Sequence, residues 1–195
     1  MQAFSNLLNL VLWMPMLGVV GALLIPKTKP TAIRYWSLMN TAATMVLTLI
    51  LYKKFDPAIG GMQDQFNFIV PWIKNFNINY HLGIDGISLL MILLTSTLFF
   101  ICILSSWTIS NSVKGYFTLF LFLEFTVMGV FLALDFFLFY VFWEIMLLPM
   151  FFLIGIWGGE NREYAAIKFF LYTFFGSLLM LVGIIGLYYA SKGVP

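Results

Sequence analysis

Six stretches of this sequence, 4–25, 35–52, 87–107, 115–134, 136–158 and 165–190, are apolar almost throughout. Each is long enough to cross a hydrocarbon core, which takes about 17–25 helical residues. In lipid the backbone groups of an open chain must bond within the segment, so each stretch has one solution, the α-helix. The expected fold is an all-α integral membrane bundle of six spans, forming a single membrane domain over 1–195. Composition agrees, with 62% hydrophobic and only 9% charged residues, against about 25% charged in an ordinary soluble domain. A water-soluble fold could not cover so much apolar surface. The first stretch has no positive charge ahead of it and no small-residue cleavage site behind it, and so reads as a retained span rather than a signal peptide.

The net charge of +2, with no basic tract, points to neither nucleic acid nor an acidic substrate as partner. Cys102, the single cysteine, lies in an apolar helix and offers no disulfide and no thiolate metal cluster. It is expected to be a buried small hydrophobe.

Orientation follows from where Lys and Arg collect in the loops. With the N-terminus outside, the inner side holds Lys27, Lys29, Arg34, Lys114, Arg162 and Lys168, and the outer side Lys53, Lys54, Lys74 and Lys192. The short all-positive loop 27–34 flanks the first two spans, so both ends of the chain are expected on the outer side. The long outer loop, 53–83, contains FNFIV (66–70) and the strictly alternating NFNINY (75–80). These predict a β-hairpin turning at Pro71 and the residues after it. Isolated hairpins are marginal, so this one should lean on the helices or on a neighbouring subunit.

Glu144 is the sole charge within 136–158. It lies roughly 12 Å into its helix, counted at 1.5 Å per residue. A charge at the bilayer centre costs at least ~2.5–3.5 kcal/mol, so something must offset it. Burial favours the neutral form of a carboxyl and a nearby cation the charged form. A group poised between the two is suited to relay protons. Pro149 cannot donate to the carbonyl of Ile145, which leaves a free acceptor next to Glu144. A glutamate that only hydrogen-bonds a neighbouring helix remains the alternative.

Glu124 lies about 13 Å into the preceding helix from the opposite face, at similar depth. Whether the two carboxyls face each other is open from sequence; it is a second possible relay. Lys168, near the inner end of the sixth helix, is a third: its long stem could snorkel to the surface or point into the bundle. Axial separation argues against direct contact with Glu144. Asp135 and Asp85 read as helix-boundary residues, the latter an N-cap before Gly86. His81 reads as a structural or solvated loop histidine. Gly176, Gly183 and Gly186 form a small-residue stripe expected to mediate close helix packing.

HLGIDGISLLMILLT, and LALDFFLFYVFWEIMLLPMFFLIGIWGGENREYAAIKFFLYT over 132–173, resemble the M-type antiporter-like subunits of complex I, the proton-translocating NADH:quinone oxidoreductase. FWE followed by LxP and a WGG loop into AAxKFxxYT is the most specific part. The resemblance implies a subunit of the membrane arm in a bacterial inner membrane, with other membrane-arm subunits and lipid as partners and protons as its only small substrate. It also implies no flavin, iron–sulfur or quinone chemistry, and so no cofactor, in this chain. Glu144 matches the family's fifth-helix relay glutamate and Lys168 its sixth-helix lysine, whereas Glu124 is outside the family pattern. Family members have about fourteen helices in two inverted repeats, and the seventh-helix lysine that partners the glutamate lies outside this sequence. Two alternatives share part of the pattern or none of the chemistry: a subunit of a multisubunit sodium/proton antiporter, and a non-translocating membrane scaffold.

Overall fold

A computed structural model describes residues 2–56, 66–76 and 78–191. Among the described residues six α-helices carry the chain: α1 Gln2–Leu24, α2 Pro30–Lys54, α3 Gly86–Ser105, α4 Val113–Leu132, α5 Phe136–Trp157 and α6 Arg162–Ser191. Strands β1 Asn67–Ile73 and β2 Ile78–Gly83 form an antiparallel hairpin between α2 and α3. Helices α1 to α4 pack into one group; α5 lies on α4, and α6 lies chiefly on α5. The chain is a membrane protein: five helices are long and apolar enough to cross a bilayer, α2 being the one that falls short on composition. At 25 residues α2 is nonetheless long enough to do so. Its deficit comes from five polar residues, Ser37, Asn40, Thr41, Thr44 and Thr48, all buried in the helix group.

The core follows the helix stripes. Leu8, Val11 and Leu12 of α1 meet Leu51 of α2, Leu89 and Ile92 of α3, and Met128 and Leu132 of α4 near the hairpin. At the other end Ile33, Ile103, Val113 and Phe117 gather from α2, α3 and α4. Close helix approach uses Gly18, Gly21 and Gly129, where a Cβ would overlap Asn40, Trp36 and Phe142. The stripe of Gly176, Gly183 and Gly186 does not do this work within the described chain, because a Cβ at any of the three would meet open space. Cys102 is exposed rather than buried. It stands about 100° round α3 from its neighbour Ile103, which takes the inward position.

The connections are held by side chains. Lys114 Nζ donates to the carbonyls of Leu23 (2.7 Å) and Ile25 (2.8 Å) at the end of α1, where a cation complements the helix dipole. Asp85 caps α3 by accepting from Ser88 N–H at 2.7 Å. That bond to the backbone N–H holds the Asp85 carboxyl below the ordinary range. Asp135 caps α5, accepting from Phe137 and Leu138 N–H at 2.9 and 3.2 Å.

The hairpin turns later than the sequence predicts. β1 runs through Pro71 to Ile73, and a 3-10 turn, Lys74–Phe76, makes the connection. Asn75 and Phe76 therefore lie in the turn, and Asn77 lies outside the described residues. Pro71 pairs with Asn79, with a register irregularity between Pro71 and Ile73. In a two-stranded ribbon each strand has an open edge, and proline is tolerated there. The hairpin leans on the helices as expected. The Tyr80 hydroxyl donates to Asn9 Oδ1 and accepts from Trp13 Nε1, while Asn79 N–H donates to Asp135 Oδ2 at 3.0 Å. Leu134 N–H donates to the His81 carbonyl at 2.9 Å. His81 Nε2 pairs with Asn67 Oδ1 at 2.9 Å, and burial lowers its pKa although Asp135 pulls the other way.

Candidate functional site

The direction of Glu144 follows from how α5 is packed. Leu138, Phe142 and Pro149 are buried on one side of α5, where Phe142 meets Phe125 and Gly129 of α4. The opposite side carries Tyr140, Glu144, Phe151 and Gly155 at helical spacing. That side packs on α6: the Phe151 and Phe170 rings are 5.6 Å apart, and a Cβ at Gly155 would touch Ala166 at 3.5 Å. Glu144 therefore stands in the α5–α6 seam. Its Oε1 is buried without a hydrogen-bond partner. Tyr140, one turn earlier, interacts with both the Glu144 carboxyl and the hydroxyl of buried Ser177 on α6. The seam thus holds a carboxyl, a phenol and a hydroxyl in a largely apolar setting, an arrangement in which a proton can be taken up and handed on. Toward the hairpin the seam opens into a groove of about 630 Å³ lined by Asp135, Phe139, Met180 and Gly183 among others.

Lys168 is not part of this seam. The α6 face that meets α5 is marked by Ala166, Phe170 and Ser177, and Lys168 lies about 200° round from Ala166. It is exposed, with Nζ 5.7 Å from the Tyr164 ring centroid. By the pairing of positions 155 with 166 and 151 with 170, it sits roughly 13 Å along the axis from Glu144.

Glu124 does not face Glu144 either. α4 meets α5 through Phe125 and Gly129, which are about 100° and 140° round the helix from Glu124. Glu124 instead shares the stripe of Phe117, Leu121 and Met128, which packs on α1, α2 and α3. It is fully buried, and neither carboxyl oxygen has a hydrogen-bond partner. The three charged candidates thus occupy three separate places. The sequence reading missed the polar stripe of α2; its signal was present in the spacing of Ser37, Asn40, Thr41, Thr44 and Thr48 along one helical face. Among the described residues no three His, Cys, Asp or Glu gather as a possible metal site.

Comparison with known proteins agrees with this architecture. Residues 133–194, which include α5 and α6, match the family described as NADH:quinone oxidoreductase/Mrp antiporter, TM. The chain belongs to this family of antiporter-like membrane subunits. Within it, NADH-quinone oxidoreductase subunit M of Rhodobacter capsulatus is 44% identical over 188 residues, covering 94% of this chain and 36% of the relative. F(420)H(2) dehydrogenase subunit M of Methanosarcina mazei is 43% identical over 173 residues, covering 87% and 34%. A chain of respiratory complex I from Thermus thermophilus with bound NADH superposes with a TM-score of 0.78 at 27% identity, covering 92% of this chain and 35% of that one. The chain thus spans about a third of the length of these relatives.

Proposed function

We propose that the chain is part of a proton-translocating membrane-arm subunit of an NADH:quinone oxidoreductase. Glu144 passes protons along the α5–α6 seam, and redox chemistry in other subunits drives it. The observation that carries this reading is the buried, unpartnered Oε1 of Glu144 beside Tyr140 and Ser177. A carboxyl at mid-membrane with a buried, unpartnered oxygen is a functional group by default. The relatives reported above are named as oxidoreductase and dehydrogenase subunits, which favours the redox-driven reading over a sodium/proton antiporter.

Several finer points belong to the same reading. Lys168 serves helices packed on the exposed flank of α6, not Glu144 directly. The chain carries no redox cofactor of its own. Its partners are other membrane-arm subunits and lipid, protons are its substrate, and it lies in a bacterial inner membrane with the hairpin on the outer side.

The test is Glu144→Gln in the assembled complex. Quinone reduction and the pumping coupled to it should be severely cut with assembly intact, and Glu144→Asp should keep part of both. Normal turnover in the Gln variant would end the relay assignment and leave a scaffold.

A further inference from the structure

Helix α2 is built inside out. Tyr35, Met39, Val46, Leu49 and Ile50 are exposed, whereas Ser37, Asn40, Thr41, Thr44 and Thr48 are buried against α1, α3 and α4. Lipid facing an apolar flank explains the first set. Nothing in packing alone calls for the second, because buried polar groups are costly unless partnered.

The hydrogen bonds show what this interior lacks. Thr41 donates to the carbonyls of Ser37 and Leu38, and Thr44 to Asn40. The Asn40 amide donates across to Met14 of α1 at 3.1 Å. Thr48 and Ser96 share a 2.8 Å bond between α2 and α3, and each also reaches a carbonyl of its own helix. The hydroxyls of Thr41, Thr44, Thr48 and Ser96 are thus engaged with backbone or with each other, as is the Asn40 amide through one bond, while several oxygens, that of the Ser37 hydroxyl among them, are left over. Asn40 Oδ1, Ser37 Oγ and both oxygens of Glu124 are buried with no partner.

Depth brings Glu124 and Asn40 together. Leu121 of α4 packs with Val19 and Ala22 of α1, and Met128 with Leu8, Val11 and Leu12. Glu124, between Leu121 and Met128 on the same stripe, is therefore level with the middle of α1. Asn40 is there too, packed on Gly18 and bonded to Met14. Thr44 is one turn further along the same face of α2. No ionisable group of α1 exists to balance Glu124, and α3 offers only exposed Cys102. On α2, Arg34 is tied to the Ile109 carbonyl at one end, and Lys53 and Lys54 stand at the other. On α4 itself Lys114 is held at the end of α1.

We propose that Glu124, Asn40 and Thr44 form a second site, separate from the α5–α6 seam, that binds a small monovalent cation: a proton carried on water, or sodium. A carboxylate, an amide oxygen and a hydroxyl whose hydrogen is engaged elsewhere are hard oxygen donors of the kind such a cation takes. The site places ion chemistry in the α1–α4 group, with Phe142 and Phe125 between it and Glu144.

The test uses the assembled complex in its native membrane, with Glu124→Gln, Thr44→Val and Thr44→Ser. A merely structural hydroxyl can be exchanged for a methyl at little cost, so in that case Thr44→Val should turn over normally. The proposal expects coupled turnover to fall about tenfold or more in both Glu124→Gln and Thr44→Val, a barrier change of roughly 1.4 kcal/mol or more, and Thr44→Ser to restore it. Exchanging sodium chloride for choline chloride at equal ionic strength then separates the two cations: wild-type turnover that slows assigns sodium, and turnover that holds assigns the proton. Normal turnover in both variants, or a loss in Glu124→Gln alone, would overturn the site. If Glu124→Gln fails to assemble, Thr44→Val, which keeps the side-chain volume, decides alone. An inactive Glu144→Gln beside a normal Thr44→Val would sink this site and leave the α5–α6 reading standing.

Discussion

Phe142 of α5 lies over Gly129 of α4, where any Cβ would overlap its ring. This contact turns the opposite side of α5, and with it Glu144, toward α6. Gly129→Ala should therefore destabilise the α4–α5 pair by about 1–3 kcal/mol, the usual effect of overpacking. Adding Phe142→Leu should recover part of the loss. Thermal unfolding of the detergent-solubilised complex, followed at the level of this subunit, measures both.

Asp135 joins two elements: the first turn of α5, through Phe137 and Leu138, and strand β2, through Asn79. Asp135→Ala should lower stability by about 0.5–2 kcal/mol for the cap alone and free the hairpin besides. Asp135→Asn, which keeps an acceptor, should lose less. Protease access to the hairpin in the two variants distinguishes the cap from the anchor.

The hairpin should also weaken in acid. Burial lowers the His81 pKa in the fold, so the folded state binds fewer protons than the unfolded one. The contribution is fully present above pH ~6.5, the unfolded value, and is lost as pH falls through the lower folded value. Asp135 opposes the shift, so Asp135→Asn should make the acid loss steeper. Hydrogen exchange of the strand amides, corrected for its intrinsic pH dependence, should show protection falling on acidification, and unchanged protection would contradict the assignment.

Sidedness has its own test. Cysteines placed at Thr28 and Lys74, in a Cys102→Ala background, should differ in intact cells toward a membrane-impermeant thiol reagent. Reaction is expected at position 74, on the hairpin side, and not at 28. Preferential reaction at 28 would invert the topology drawn from the positive loop 27–34.

Much of the fold was legible because membrane helices announce themselves by length and composition, and the caps at Asp85 and Asp135 by residue type. What sequence could not show was facing. Glu124 and Glu144 share a depth, yet the α4–α5 contact sends them to opposite sides. Lys168 is close to Glu144 in sequence order but lies on the far side of α6. The α2 stripe was missed, because a polar face gains meaning only once α1, α3 and α4 are placed around it. Pro71 reads as a turn residue anywhere but at the open edge of a two-stranded ribbon.

The claim that Glu144 carries protons is tested most directly by watching the carboxyl itself. The measurement is the infrared difference spectrum of the assembled complex between resting and turning-over states, in the carbonyl-stretch region of protonated carboxyls. A band that changes during turnover and vanishes in Glu144→Gln is the expected result; a spectrum that Glu144→Gln leaves unchanged would contradict it.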